Sequence, residues 1–564
     1  MNKPSNTLMR LLLPGVITLL LGAGAAVAAS DDDRNHDAAY LRNMTIFSAL
    51  TKELEQNYVD SIRTDEAFKA AIGGMLATVD PYTEFYGYED RDNLMKMTTG
   101  SYAGIGSYIF SDGKYTYISE PIEGSPAKKA GLRPGDKILF VDTVDVAGAS
   151  TEKASSLLKG TPGTGVKVTI ERPYSAPGDS ILTFEIVREK VAESSVPWWG
   201  VINGKTGYIR LTQFVETSAA DVRKALEAFK QNPEVRDVVL DLRGNGGGLV
   251  DSAIEILGFF LPKDTEVLRT KGKLPGDERT YKTRRQPIMP DTPLAVLIDG
   301  GSASASEIVA GALQDLDRAV LIGSRSFGKG LVQGTRNLPY STLLKVTTAK
   351  YYMPSGRLIQ ALDYSRRNAD GTVARTPDSL TNVYHTRIGR EVRDGGGLTP
   401  DSVIDWGNST AVVYGLVAGR HTFDYATKYA AFHDTVASPD VFEISDEDFN
   451  DFVEGVDPSS FKYDKVCNDI LKNLRDAAKN EGYLTPEVAA HMDSLDRMLN
   501  RDLKADLHAK REEIEEYLGS EIIGRYYGEA GKTRLALRRD KGVRKAEEIF
   551  DTPGLYNKIL SAPK

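Results

Sequence analysis

The spacing of apolar positions divides this 564-residue chain into stretches of different texture. From about residue 36 to 98, Leu41, Met44, Ile46, Phe47, Leu50, Leu54 and Tyr58 recur at helical intervals, and a second run spans Phe68 to Leu76. That spacing predicts helices whose role is packing. Asp80-Pro81 ends the second run, because the residue before a proline is driven out of the helical region. From 99 to 189 the texture changes to short strands punctuated by turns. Gly104-Ile105-Gly106 opens this stretch, with strands predicted at 116–119, 137–141 and 166–170 and short helices at 125–130 and 151–158. Between 190 and 405, apolar strands at 206–211, 237–242, 294–298 and 319–322 alternate with helices such as 218–231 and 249–260, which predicts an α/β core of βαβ character. After about 406 the chain turns helical. Thr485-Pro486 makes a good start, and Val488, Met492, Leu495, Leu499, Leu503, Leu507, Ile514 and Leu518 form one stripe. The stripe predicts a long amphipathic helix, packed on its own domain or on a partner.

The first thirty residues follow a different rule. Lys3 and Arg10 precede an apolar run from Leu11 to Leu21, and small residues lead on to Ala26-Val27-Ala28. A charged start, a short apolar centre and an Ala-x-Ala site read as an export signal, so an exported, periplasmic destination is expected. Left uncleaved, the same segment would anchor the chain to the inner membrane. The expected organisation is a signal at 1–29, a helical segment at 30–98, a small β domain at 99–189, an α/β core at 190–405 and a helical extension at 406–564. After the signal no apolar run approaches the roughly 20 residues of a membrane span. A net charge of −9 gives no support for a nucleic-acid partner. The lone cysteine, Cys467, excludes an intrachain disulfide. Its nearest histidines, His433 and His491, lie in plain helical sequence, and its expected role is structural.

Candidate chemistry concentrates between 298 and 333. The strand end Ile298-Asp299-Gly300-Gly301 runs into Ser302-Ala303-Ser304-Ala305-Ser306-Glu307, whose apolar continuation predicts a helix. A serine at a strand-to-helix turn stands clear of the sheet, with helix N–H groups facing whatever it attacks; simple helix capping is the plainer reading of the same residues. Downstream, Lys329 sits in Phe327-Gly328-Lys329-Gly330, with Gln333 four residues on. No histidine occurs between residues 37 and 384, so a serine nucleophile here would look to a lysine for its base. Lysine serves only when neutral, and burial among apolar groups lowers its pKa toward that state. Gln333 could orient the neutral amine without adding charge. A third piece, Asp241-Leu242-Arg243-Gly244-Asn245-Gly246-Gly247-Gly248, follows a strand and precedes a helix, where backbone N–H groups could receive an oxyanion. The residues alone leave Ser302, Ser304 and Ser306 open as nucleophiles. Gly323-x4-Gly328-Lys329 nearly spells a phosphate-binding loop, but Gly330 stands where a Ser or Thr would hold Mg²⁺.

Residues 99–189 resemble a circularly permuted PDZ domain, chiefly through Gly104-Ile105-Gly106 and Gly131-Leu132-Arg133-Pro134-Gly135-Asp136. That resemblance implies a groove that takes a peptide's free C-terminus by strand addition, with N–H groups of Gly104, Ile105 and Gly106 on the carboxylate. Residues from about 40 to 405 together resemble the carboxyl-terminal processing peptidases, or tail-specific proteases. The markers are Gly73-Gly74-Met75-Leu76, Asp80-Pro81-Tyr82, Asp241-Leu242-Arg243 with Asn245 and Gly247-Gly248, the Ser302–Glu307 run, Phe327-Gly328-Lys329-Gly330 with Gln333, and Tyr351-Tyr352-Met353-Pro354-Ser355-Gly356.

This second resemblance implies a serine endopeptidase with a Ser–Lys dyad. Its nucleophile would be the middle serine of the run, Ser304, and its base Lys329. Gln333 would be the lysine's partner, and Gly247 and Ala305 would supply the oxyanion N–H groups. Gly246 departs from the family, which commonly has proline there; a looser turn without loss of a donor is expected. No metal or organic cofactor is implied. The implied partners are protein or peptide substrates with free apolar C-termini, and the C-terminal helices are candidates for adaptor binding or self-association. A catalytically inactive PDZ scaffold that binds C-termini is the alternative. The PDZ domain is further expected to block the dyad when empty and to open it when filled. Residues after 406 resemble nothing assignable.

Overall fold

The computed structural model describes residues 31–562, apart from 88–98 and positions 177, 365, 369, 370, 408, 460, 462, 464, 465, 500 and 501. The expected signal at 1–29 lies outside the described residues. The chain divides into two compact units, one ending at Met75 and the other running from Leu76 onward. The first holds the helix Asp31–Asn57 and most of the helix Thr64–Ala77. Phe47 meets Phe68 edge-on at 5.9 Å. The expected packing role goes largely unfilled, since Leu41, Met44, Leu50 and Leu54 stay exposed. Two helices share a single seam, which cannot cover the rest of a broad stripe. Among the described residues no helix is long and apolar enough to cross a membrane.

The second unit is built around a six-stranded sheet in the order Trp198–Ile202, Thr206–Arg210, Asp237–Asp241, Leu294–Ile298, Val320–Gly323, Ser402–Val403. The first pair is antiparallel and the rest parallel. Parallel strands are apolar on both faces because both must be covered. On one face Ile209, Val238, Leu240, Val296 and Leu321 join a core with the helices Ser218–Gln231, Val250–Leu257 and Ala305–Asp315. On the other, Tyr208, Val239, Ala295, Leu297, Val320 and Ile322 pack against Val543, Ala546 and Ile549 of the helix Lys541–Asp551. The last helices of the extension expected from about 406 therefore also cover the second face of the core sheet. Asp540 caps that helix through Val543 N–H (2.8 Å) and also pairs with Arg243 (2.7 Å), next to the glycine-rich turn.

A second sheet lies beside the first, with Leu343–Tyr352 between Leu331–Asn337 on one side and Glu84–Tyr86 and Glu266–Gly272 on the other. Residues 84–86 thus leave the expected N-terminal helical segment and join this sheet, with Glu84 opposite Lys345. The small β domain is a six-stranded sheet around Ile118, Ile138, Val168 and Ile170. Among the described residues its strand Ser107–Ser111 pairs on one side only, with Thr116–Pro121, and the helix Thr151–Leu158 packs beside it.

The long stripe after 485 occupies three helices, Pro486–Leu499, Leu503–Ala509 and Arg511–Leu537, instead of the single helix expected. Asp502 starts a new helix by accepting from Ala505 N–H, and Lys510 separates the last two. Leu507, Ile514 and Leu518 enter a core with Phe449, Phe452 and Leu416. Cys467, expected to be structural, is exposed. This helical layer grips the small β domain. The Arg420 guanidinium lies over Phe110 (4.5 Å) and Tyr117 (4.6 Å), Phe423 meets Phe110 edge-on at 5.3 Å, and Lys532 pairs with Glu120 at 2.6 Å.

Candidate active site

The run at 299–307 is knotted by its own polar groups. Asp299 Oδ1 accepts from the N–H groups of Gly301 and Ser302, and also from Gly244 of the glycine-rich turn (2.9 Å). Ser302 donates to Leu242 O (2.8 Å) and Ser306 to Asn245 O (2.7 Å), both with side chains fully buried. Two of the three serines are thus spent on holding the two turns together. Ser304 differs: it is half-buried and sits at φ 55°, ψ −112°, immediately before the helix Ala305–Asp315. A non-glycine residue in that backbone region carries strain, as nucleophiles on tight strand-to-helix turns do.

Glu307 ties Ser304 to Lys329. Its fully buried carboxylate accepts from Ser304 N–H (3.0 Å), Lys329 N–H (2.9 Å), Gly328 N–H (2.8 Å) and the Ser326 hydroxyl (2.5 Å). Burial pushes its pKa up to about 7 against the pull of these donors. The buried Tyr351 hydroxyl adds a second tie, donating toward the carbonyls of Ser304 and Lys329. The side chain of Lys329 places Nζ over the Tyr82 ring at 4.2 Å. Desolvation, helped by nearby Lys345, lowers its pKa to about 8, while Asp80, Glu84 and Glu307 oppose the shift. An amine in this range is neutral often enough to act as a base near neutral pH.

The remaining site residues are placed unevenly. Gly247 has φ +102°, and a Cβ there would lie 2.7 Å from Ala303 O and 2.9 Å from Ala305 N, so only glycine fits against the turn of Ser304. Its N–H donates to Asn245 Oδ1 (2.9 Å), a commitment not expected for an oxyanion donor. Ala305 opens its helix, where N–H groups have no intrahelical acceptor. Gly246 has open space around its Cα, so packing there does not demand glycine. Gln333 donates to Thr347 Oγ1 (3.2 Å), its partner across the strand pair, rather than toward Lys329. In the small β domain, the Ile105 and Gly106 carbonyls accept from Ala127 N–H (2.8 Å) and the Ser125 hydroxyl (2.7 Å). Ile105 is buried, Gly106 takes φ +76°, and Gly104 lies against Leu158 O, so the loop leads directly into the open edge strand.

Residues 205–364 match Peptidase family S41, residues 117–172 a PDZ domain, and residues 412–550 the C-terminal helical domain of a PDZ-protease. A carboxy-terminal-processing protease of Bartonella bacilliformis is 34% identical over 350 residues, covering 62% of this chain and 79% of that protein. The chain belongs to this family of processing peptidases.

A carboxyl-terminal-processing protease of Picosynechococcus is also similar, 37% identical over 51% of this chain and 69% of its own length. A solved PDZ domain of a Vibrio cholerae carboxy-terminal protease, in complex with peptide, is 32% identical over 16% of this chain and 99% of its own, with a TM-score of 0.15. The protein is accordingly a serine peptidase that takes protein or peptide substrates, with an α/β core, a PDZ domain and a C-terminal helical domain. Sequence reasoning gave no role to Glu307, Tyr351 or Tyr82, although each stood inside a family marker. The contacts that tie them to Lys329 lie farther along the chain, and only the fold makes them.

Proposed function

We propose that this peptidase is exported, seizes unfolded or tagged proteins by free apolar C-termini in its PDZ groove, and cuts them with a Ser304–Lys329 dyad. The edge of Ser107–Ser111 left unpaired among the described residues, beside the loop at Gly104, Ile105 and Gly106, suits an added peptide strand. The residue pattern at 1–29 supports export. The observation that carries the dyad is the double tie from Glu307 and Tyr351, which holds the backbones of the strained serine and the desolvated lysine in one knot.

In the proposed reaction, Ser304 Oγ attacks the peptide carbonyl carbon while neutral Lys329 takes the hydroxyl proton. The oxyanion is received at Ala305 N–H, and at Gly247 N–H once that group turns from Asn245. Collapse breaks the C–N bond, and Lys329 returns its proton to the leaving amine. Water then attacks the acyl-enzyme, giving its proton to Lys329, which passes it to Ser304 as the ester breaks. Gln333 would steady the amine after release from Thr347. No adaptor or second copy is required by this chemistry; the exposed apolar side chains Ile470, Leu474, Met498 and Leu499 leave the C-terminal helices available for either.

The deciding experiment compares an unstructured protein ending in apolar residues with a copy amidated at its C-terminus. Wild type should cut, and should prefer the free carboxylate, while Ser304→Ala and Lys329→Ala should fall by at least about a thousandfold. Full activity in Lys329→Ala would remove the dyad, and equal cutting of the two substrates would remove tail recognition.

A further inference from the structure

Lys329 must be neutral to take a proton, yet its side chain rests where a cation is best held. Nζ sits 4.2 Å from the centre of the Tyr82 ring. That ring is itself firmly placed. Tyr82 N–H donates to Asp80 Oδ1 (2.8 Å), Tyr364 meets the ring edge-on at 5.9 Å with the hydroxyls 3.3 Å apart, and residues 84–86 are locked into the neighbouring sheet. The ties through Glu307 and Tyr351 reach Ser304 and Lys329 at backbone atoms, and the amine itself rests against the ring.

We propose that Tyr82 is a positioning residue for Lys329, its ring face seating the ammonium and releasing the side chain as the neutral amine. This rests on the dyad reading. A ring quadrupole attracts an ammonium and has little hold on an uncharged amine. The ring therefore favours the parked, protonated lysine. The charged groups facing that lysine are Lys345 on the adjoining strand, Asp80 and Glu84 on the segment of Tyr82 itself, and Glu307 on the helix after Ser304. Lys345 is paired with Glu84 at 2.6 Å, so the two largely offset each other. Desolvation pushes toward the neutral amine, and the Tyr82 face pushes back. The peptidase thus keeps its base within reach of neutrality while seating it against the Tyr82 ring.

The test reads the lysine directly. In a Ser304→Ala background, which cannot cut itself, Lys329 is acylated with acetic anhydride across a pH series and its labelling followed by peptide mass. Tyr82→Phe keeps the ring face and should leave the titration midpoint unchanged. Tyr82→Leu keeps an apolar wall without the quadrupole and should lower the midpoint by about half a pH unit, whereas Tyr82→Trp should raise it. One midpoint shared by all variants, or an upward shift in Tyr82→Leu, overturns the proposal. Should Tyr82→Leu fail to fold, the Tyr82→Trp shift decides. The acid limb of kcat/KM, measured with Ser304 present, separates the two readings. Limbs that follow the labelling midpoints support both. Shifted midpoints with a fixed limb retain Tyr82 as the seat of Lys329 and remove the dyad.

Discussion

At Glu307 a single carboxylate governs how the turns of Ser304 and Lys329 sit against each other. It accepts from both, and from Gly328 and Ser326, so an amide in its place would turn an NH₂ toward donors already facing it. Glu307→Gln is expected to lose about 2–3 kcal/mol of stability and most activity, checked by thermal melts and peptide cleavage. Its folded pKa of about 7 lies above the unfolded value, so the acid's stabilising contribution is full below the unfolded pKa and fades as pH climbs through about 7. The stability gap between wild type and Glu307→Gln should therefore narrow between about pH 5 and pH 8. Lys329 gives the matching kinetic expectation: with a pKa of about 8, kcat/KM should drop toward tenfold per pH unit on the acid side of that value. At this scale Lys329 was legible as a candidate, because a chain segment without histidine leaves a lysine as the nearest base. The choice of Ser304 came from resemblance, and the structure adds a reason of its own in the buried, committed hydroxyls of Ser302 and Ser306. Tyr82 was not legible as a neighbour of Lys329, since a ring-to-ammonium contact between the loops that precede Glu84–Tyr86 and Leu331–Asn337 leaves no periodic trace.

Elements decide whether those side chains meet. The glycine-rich turn after Asp237–Asp241 is shaped by Gly247, whose missing side chain makes room for the nucleophile turn. Gly247→Ala is expected to cut kcat by about a hundredfold, because the clash falls on Ala303 and Ala305 at the proposed oxyanion position. The strands and helices of the core were legible from their apolar runs; the helix Ser218–Gln231 falls on the predicted boundaries. The stripe after 485 was legible as apolar but not as broken, because Asp502 and Lys510 interrupt the backbone without disturbing the spacing of leucines. The strand Glu84–Tyr86 escaped too, three residues being too short for any period to show.

For the whole molecule, the helical extension holds both of its neighbours, the PDZ domain through Arg420, Phe423 and Lys532 and the peptidase sheet through Val543, Ala546 and Ile549. Any swing of the PDZ domain that gates the dyad must break the first set. Lys532→Glu, which sets like charge against the partly buried Glu120, is expected to loosen that grip by about 1–2 kcal/mol, seen as faster hydrogen exchange across residues 99–189. Unchanged exchange would show the grip to be idle. Ile549→Ala, at a fully buried position against the sheet, should cost about 2–4 kcal/mol and lower activity through folding alone. Two-sided burial is implied by strands such as Leu294–Ile298, but no local signal names a cover so distant in sequence. The distant cover also sets a clock. A ribosome makes every strand of the catalytic sheet before it makes Lys541–Asp551, and until that helix arrives Tyr208, Val239 and Leu297 stand bare to water. The growing chain passes through its synthesis with an unfinished core, so a cutting enzyme appears only once Lys541–Asp551 has been written.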